Sequence, residues 1–515
     1  MPGSKVKLRL VELLGAVSLA TDLGTGQAHL HGVRTSVLAV ALGRQLGLDD
    51  ASVAAAQQVA LLRFLGCTAD AGETARMTGG DDRAFLAGMA PVAMGGKGEM
   101  GRQLVRTVGV GLLPLRRAAL VAGALADPAG AKRSLSAHCE VAAMLAERLG
   151  TAPMVREALG HGYERWDGAG FPDGLAGDAV PLAVRVAVVA GDAALWWGIS
   201  PAQLGEVLNA RRGRAYDPAV VDACVAVGSA VLGSLDESDV WEAMLAADAG
   251  GDEIDGPGLD AALEAVADFT DLKSPSMRGH SPRVAGLAGA AARHLGMTPE
   301  AITIVRRAAL VHDLGRVGVP NGIWDRPGPL GVADWERVRQ HPYLTESILA
   351  CCPALADLGR LAGAHHERLD GSGYYRGTRE LGPCERVLAA ADVVAALGAD
   401  RPHRPALAAR GIADAVMAEV AAGRLDRAAA EAVLAATGRP AAWARRPGWP
   451  AGLTDREVEV LRLIARGRTN KEVASGLQLS VKTVGRHIEN LYAKTGVNSR
   501  AAVAVFAMRH RLLDT

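Results

Sequence analysis

Apolar residues recur at three- and four-residue intervals along much of this chain. SPRVAGLAGAAARHLG (281–296) and PEAITIVRRAALVHDLG (299–315) are two such segments. That spacing puts the apolar side chains on one face of a helix. The opening MPGSKVKLRLVELLGAVSLATD sets basic residues before an apolar run, as a secretory leader does, but Glu12 interrupts it and an amphipathic first helix is the expectation. Near the C-terminus, Thr454 with Glu457 forms a capping box that opens a helix. TNKEVASGLQLSVKTVGRHIENLYAKTG then predicts a short helix, a turn through 477–479, and a second helix over 481–494 capped by Ser480. Val481, Val484, Ile488 and Leu491 form the apolar stripe of that second helix. The predicted fold class is all-α.

Composition agrees, since aromatics are only 4% and Ala and Leu, which lose little freedom in a helix, dominate. At 515 residues the chain exceeds one core, so about three domains are expected. Hydrophobic residues at 49% and charged residues at 22% exclude a disordered chain. No uncharged stretch approaches the ~20 residues of a membrane span. The six cysteines (Cys67, Cys139, Cys224, Cys351, Cys352, Cys384) lack metal-finger spacing and suit reduced thiols, so a cytoplasmic protein without a membrane partner is expected.

The chain also repeats itself. GYERWDGAGFP (162–172) and HHERLDGSGYY (365–375) share the frame E-R-x-D-G-x-G. Glu164 and Glu367 lie 203 residues apart, as do His138 and His341. Upstream the offset is 249, relating His31 to His280 and ALLRFLG (60–66) to ALVHDLG (309–315). The difference places extra residues in the first copy, at about 68–115. A duplicated helical domain accounts for both offsets. The acidic, Gly-rich stretch 248–258 is the expected linker, and three prolines in 438–450 mark a second boundary. The expected domains are 1–250, 259–438 and 451–515.

Only the second copy carries a dense set of donors: His280, His312, Asp313, His341, His365, His366 and Asp392. Imidazole with carboxylate and no cysteine suits iron, manganese or zinc, and so many donors exceed the needs of one ion. Two divalent cations sharing a carboxylate could clamp a phosphodiester and activate water. Residues 276–400 resemble an HD-GYP domain, the subclass of HD phosphohydrolases that cleaves cyclic di-GMP. HDLGRVGVPNGIWDRPGPL, QHPYLTESIL, HHERLDGSGYY and RVLAAADVVAAL carry the resemblance. It implies one ion held by His280, His312, Asp313 and Asp392. Asp313 would bridge to a second, held by His341, His365 and His366. It further implies Asp313 and Arg316 as catalytic residues, with Arg316, Gly371, Gly373 and Tyr374 contacting substrate.

Three positions depart from that pattern. Arg316 replaces a lysine, Tyr375 replaces the proline of Gly-Tyr-Pro, and Ser276 stands where some members recruit a third metal through Glu. Arg and Lys are not equivalent phosphate donors. The first copy has lost the donor set, with Arg63-Phe64 and Gly162-Tyr163 in place of the paired ligands; His31, His138 and Asp192 survive.

Net charge is zero overall, but residues 451–515 hold 11 Lys+Arg against 6 Asp+Glu. A basic tail on an acidic body points to an anionic polymer. Residues 453–513 resemble the LuxR-type four-helix DNA-binding domain, which implies a helix–turn–helix reading double-stranded DNA as a homodimer. Arg486 and Lys494 are the leading phosphate contacts; Lys482, Thr483, His487 and Asn490 complete the candidate set. Two functions stay open: a DNA-binding regulator whose second copy hydrolyses a cyclic dinucleotide or related phosphoester, or one whose HD domains bind metal and ligand without turnover and switch DNA binding.

Overall fold

The computed structural model describes residues 8–438 and 448–513. Its regular elements are helices, apart from the two-residue strands Leu8–Arg9 and Glu253–Ile254. Most of the Pro-rich boundary stretch 438–450 falls outside the described residues. The chain divides into two compact units, residues 1–262 with 320–322, and residues 263–319 with 323–515.

In the first unit, Leu10–Thr25, His31–Gln45, Asp50–Leu62 and Leu182–Ile199 pack around a core that includes Leu14, Leu38, Leu62 and Val189. Leu182–Ile199 is, among the described helices, the one long and apolar enough by length and composition to cross a membrane. Here it is a core helix, and its two charges are both paired: Arg185 with Asp217 (2.8 Å) and Asp192 with Arg211 (2.8 Å). The extra residues of the first copy form three further helices, Ala71–Thr78, Asp82–Met89 and Lys97–Thr107. The stretch 248–258 is not the free linker expected. Glu253–Ile254 pairs antiparallel with Leu8–Arg9, and Arg9 binds the Asp248 carboxylate at 2.6 Å, so backbone pairing fixes it to the start of the chain.

In the second unit, His280–His294, Pro299–Val311, Pro383–Leu397 and Arg427–Thr437 form the main bundle. Thr298 caps the second of these with Pro299 in its first turn, and Asp426 caps the last. The C-terminal helices are Asp455–Ala465, Asn470–Leu477, Val481–Thr495 and Arg500–Arg509. The capping box of Thr454 and Glu457 and the Ser480 cap are both present, and Gln478 makes the turn with φ 54°.

Each unit by itself shows the same local constructions at the repeat positions. His31 and His280 each open a helix behind a residue with positive φ, Leu30 and Gly279. Buried Asp22 accepts the Gly32 amide (3.1 Å), and buried Asp271 accepts the Ser281 amide (2.9 Å). A Cβ on Gly66 would fall 1.9 Å from the His138 carbonyl oxygen; on Gly315, 2.1 Å from that of His341. Only glycine allows those two backbone approaches. The shared frame is a loop folded around its glutamate. Glu164 accepts the amides of Asp173 (2.7 Å) and Gly174 (3.0 Å), and Glu367 those of Arg376 (2.7 Å) and Thr378 (3.1 Å). Both glutamates are buried, so the loop's amides depend on them.

Glu164→Ala leaves two loop amides without their acceptor. We expect a cost of about 2–4 kcal/mol to the first unit, seen by calorimetry as a lower unfolding midpoint. An unmoved midpoint would contradict the role given to this frame.

Candidate metal centre and nucleic-acid interface

Five separate segments of the second unit deliver the donors. His280 begins the helix His280–His294, and His312 ends Pro299–Val311 with Asp313 next in the chain. His341 begins His341–Ala350, His365 and His366 follow Ala356–Ala362, and Asp392 projects from the middle of Pro383–Leu397. All are buried except the half-buried His366.

The seven side chains face one another. Asp313 Oδ2 lies 3.5 Å from His312 Nε2 and 3.8 Å from His280 Nε2. Its other oxygen, Oδ1, lies 3.4 Å from His341 Nε2 and 3.6 Å from His365 Nε2. Asp392 Oδ1 is 3.2 Å from His280 Nε2 and 3.8 Å from His312 Nε2, while its Oδ2 is 3.9 Å from His366 Nδ1. His280, His312 and Asp313 thus form one group of donors, and His341, His365 and His366 another.

Backbone carbonyls fix the tautomers. His312 Nδ1 donates to Ala309 (2.8 Å), His341 Nδ1 to Val338 (2.6 Å) and His365 Nδ1 to Ala362 (2.8 Å). In the neutral rings Nε2 then carries the lone pair and points inward. The Nε2 atoms of His341 and His365 are 3.1 Å apart, and His312 Nε2 is buried with no hydrogen-bond partner. Lone pairs so placed repel unless a cation or proton lies between them, so the donor chemistry fits a divalent metal.

Electrostatics agree. Burial would lower the pKa of His312, yet the Asp313 and Asp392 carboxylates carry it up to about 9. Asp313 lies well below the usual carboxylate range although burial opposes this, because His312 and Arg316 face it. Loss of solvent takes His280 down to about 4 and His341 down to about 3. Asp313 and Asp392 therefore stay ionised inside the site, which favours a cation there.

Arg316 lies over the Trp324 ring, 3.6 Å from its centroid, with Nη1 3.6 Å from Asp313 Oδ2. Tyr374 stacks on His366 at 4.5 Å with 27° between rings. Gly371 and Gly373 shape the loop: the first has φ 78°, and a Cβ on the second would sit 2.5 Å from Glu367 Cα. Gly168 and Gly170 do the same in the first copy without the metal donors, so the structure gives these glycines a backbone role. Tyr375 has φ 92°, which the proline ring cannot adopt. The Gly-Tyr-Tyr loop thus follows a path closed to Gly-Tyr-Pro. Ser276 offers only a hydroxyl, bonded to Ser274 at 3.0 Å. Arg401 was not singled out from the sequence. Burial, then the like charge of Arg316, takes its pKa down to about 10, so it stays cationic beside Asp392 and Asp313. It lies four residues beyond the motif RVLAAADVVAAL, and no residue pattern in the sequence marks it as part of the site.

In the first unit two of the three surviving donors are bound by other side chains. His138 Nε2 meets Asp70 at 2.7 Å, and Asp192 takes Arg211 at 2.8 Å as well as the Tyr216 hydroxyl. Arg63, in the place of the first paired ligand, is buried near His31, whose pKa falls to about 4 through burial and then Arg63.

In the C-terminal helices, Lys482, Thr483, Arg486 and Asn490 are exposed on Val481–Thr495, and His487 is half-buried. Val484, Ile488 and Leu491 are buried as expected, but Val481 is 48% exposed, because it lies in the first turn. Lys494 does not stand free. Its ammonium lies 2.7 Å from the Glu457 carboxylate and 3.1 Å from the Gly452 carbonyl, so it ties the helix Val481–Thr495 to Asp455–Ala465.

The sequence matches the HD domain family over residues 129–220 and 264–429, and the luxR family of bacterial regulatory proteins over residues 451–507. It is 30% identical over 407 residues to 3'3'-cGAMP-specific phosphodiesterase 3 of Vibrio cholerae, covering 77% of this chain and 88% of that protein. The cyclic di-GMP phosphodiesterase of Thermotoga maritima is 34% identical over 146 residues, 28% of this chain and 39% of that protein. A crystal structure of a cyclic GMP-AMP specific phosphodiesterase of V. cholerae matches with a TM-score of 0.59 and 27% identity, covering 84% of this chain and 99% of that one.

Proposed function

We propose the function from one premise: the chain belongs to the HD domain family and carries a luxR-family domain at its C-terminus. On that premise it is a cytoplasmic, homodimeric transcription regulator whose second HD copy is a two-metal phosphodiesterase acting on a cyclic dinucleotide. The phosphodiesterase names of its relatives support the substrate class.

The observation that carries the metal assignment is the division of Asp313. One oxygen faces His280 and His312, the other His341 and His365. Such a carboxylate suits a bridge between two divalent ions, with Asp392 completing the first set and His366 the second. Iron or manganese fits this oxygen- and nitrogen-donor set, and zinc is compatible with it. When bound, such ions supply Lewis-acid activation of water and neutralise a phosphodiester. The chain's own residues place the substrate. Arg316 and Arg401 bring positive charge to the phosphate, and the Trp324 ring packs against the Arg316 guanidinium. Tyr374 walls the site against His366.

The alternative, a metal-bound sensor without turnover, draws support from contacts within the second unit. Arg278, two residues before His280, donates to the Ala465 carbonyl at the end of the first C-terminal helix, and Arg511 pairs with Glu264 at 3.3 Å. These contacts join the segment before His280 to the C-terminal helices under either function.

Wild-type protein should hold about two divalent ions per chain and hydrolyse 3'3'-cGAMP or cyclic di-GMP. Asp313→Ala should lose both ions and reduce turnover by at least a thousand-fold. Stoichiometric metal with no hydrolysis of either dinucleotide would leave the sensor function. For the C-terminal domain, Arg486→Ala should weaken DNA binding and lower the salt slope by about one, whereas Lys494→Ala should act mainly on stability by releasing Glu457. Unchanged binding by Arg486→Ala would contradict the placement of the recognition helix.

A further inference from the structure

We propose that the cavity beside Tyr374 is a guanine-binding subsite, a placement that rests on the cyclic-dinucleotide function above. The cavity has a volume of about 360 Å³ and is lined by Val332, Trp335, Glu336, Arg339 and Tyr374. That is the size range of a small-ligand site. Tyr374 is the wall it shares with the metal centre, since the same ring stacks on His366.

The four lining residues other than Tyr374 come from one short helix, Val332–Val338, and the residue after it. Its only buried residue is Val338, which packs with Val319 and Ile323. Val332 is 82% exposed and Trp335 44% exposed, so two large apolar side chains stand in solvent beside a concave surface. Grouped exposed apolar residues of this kind mark a binding surface, and an indole face stacks on any nucleobase.

The polar pair selects among bases. Glu336 and Arg339 lie one helical turn apart with Oε1 and Nη1 3.3 Å from each other, and both are solvent-exposed. A carboxylate beside a guanidinium is the complement of guanine, whose N1–H and N2–H donate while O6 and N7 accept. Adenine presents an acceptor at N1, which a carboxylate repels. The helix is also tied to the metal centre, because the Val338 carbonyl orients His341 through its Nδ1. A base seated on Trp335 would therefore lie against the element that sets a metal ligand.

The test uses full-length, metal-loaded protein with cyclic di-GMP, cyclic di-AMP and bis(p-nitrophenyl) phosphate. Trp335→Ala should lower kcat/KM for the cyclic dinucleotides about ten-fold relative to the small phosphodiester. Glu336→Ala should lower kcat/KM for cyclic di-GMP about ten-fold relative to cyclic di-AMP. Ratios equal to wild type would overturn the subsite. If wild type hydrolyses none of the three, the phosphodiesterase function fails on its own, and calorimetry decides the subsite. Weaker binding of cyclic di-GMP by Glu336→Ala supports it; equal binding, or none by wild type, overturns it.

Discussion

Asp313 sits out of water between two pairs of imidazoles, one pair on each carboxylate oxygen. A carboxylate in that position is tolerable only if positive charge comes with it. Asp392 doubles the requirement. Three of the imidazoles have already committed their Nδ1 protons to backbone carbonyls, so Nε2 is the atom each turns inward. Much of the second unit can be understood as holding this arrangement. Asp271 fixes the start of the helix that carries His280, and the bare Gly315 lets the HD turn pass under the His341 carbonyl. Glu367 folds the loop that follows the histidine pair.

The first unit shows what becomes of the same backbone when that demand is removed. Its buried acid, its close glycine and its glutamate-centred loop remain. The paired ligands are Arg63 and Phe64, and two of the donors that survive, His138 and Asp192, have taken side-chain partners. Among the described residues, no metal-binding group of His, Cys, Asp and Glu falls in this unit. Fold and metal site are therefore separable layers of the sequence: glycines and buried acids encode the first, imidazole spacing the second.

That separation explains what was legible in the sequence. Helical periodicity, the two offsets and the C-terminal caps are local signals, and the structure places Val481–Thr495 within a residue of the expected helix. The seven donors were legible because they sit in five short segments that can be read one by one. Contacts made by tertiary placement were not. The stretch 248–258 has linker composition, yet its pairing with Leu8–Arg9 depends on a partner some 245 residues away. Lys494 has the position of a phosphate contact, and only the packed domain brings Glu457 to it. Arg401 and the cavity beside Trp335 likewise exist only once separate segments meet.

The central claim is that Asp313 joins two cations. Anomalous diffraction from crystals of manganese-loaded protein addresses it directly. The account predicts two anomalous peaks, one on each side of Asp313, each about 2.0–2.4 Å from a different oxygen of its carboxylate. A single peak, or peaks that leave one Asp313 oxygen uncoordinated, would contradict it.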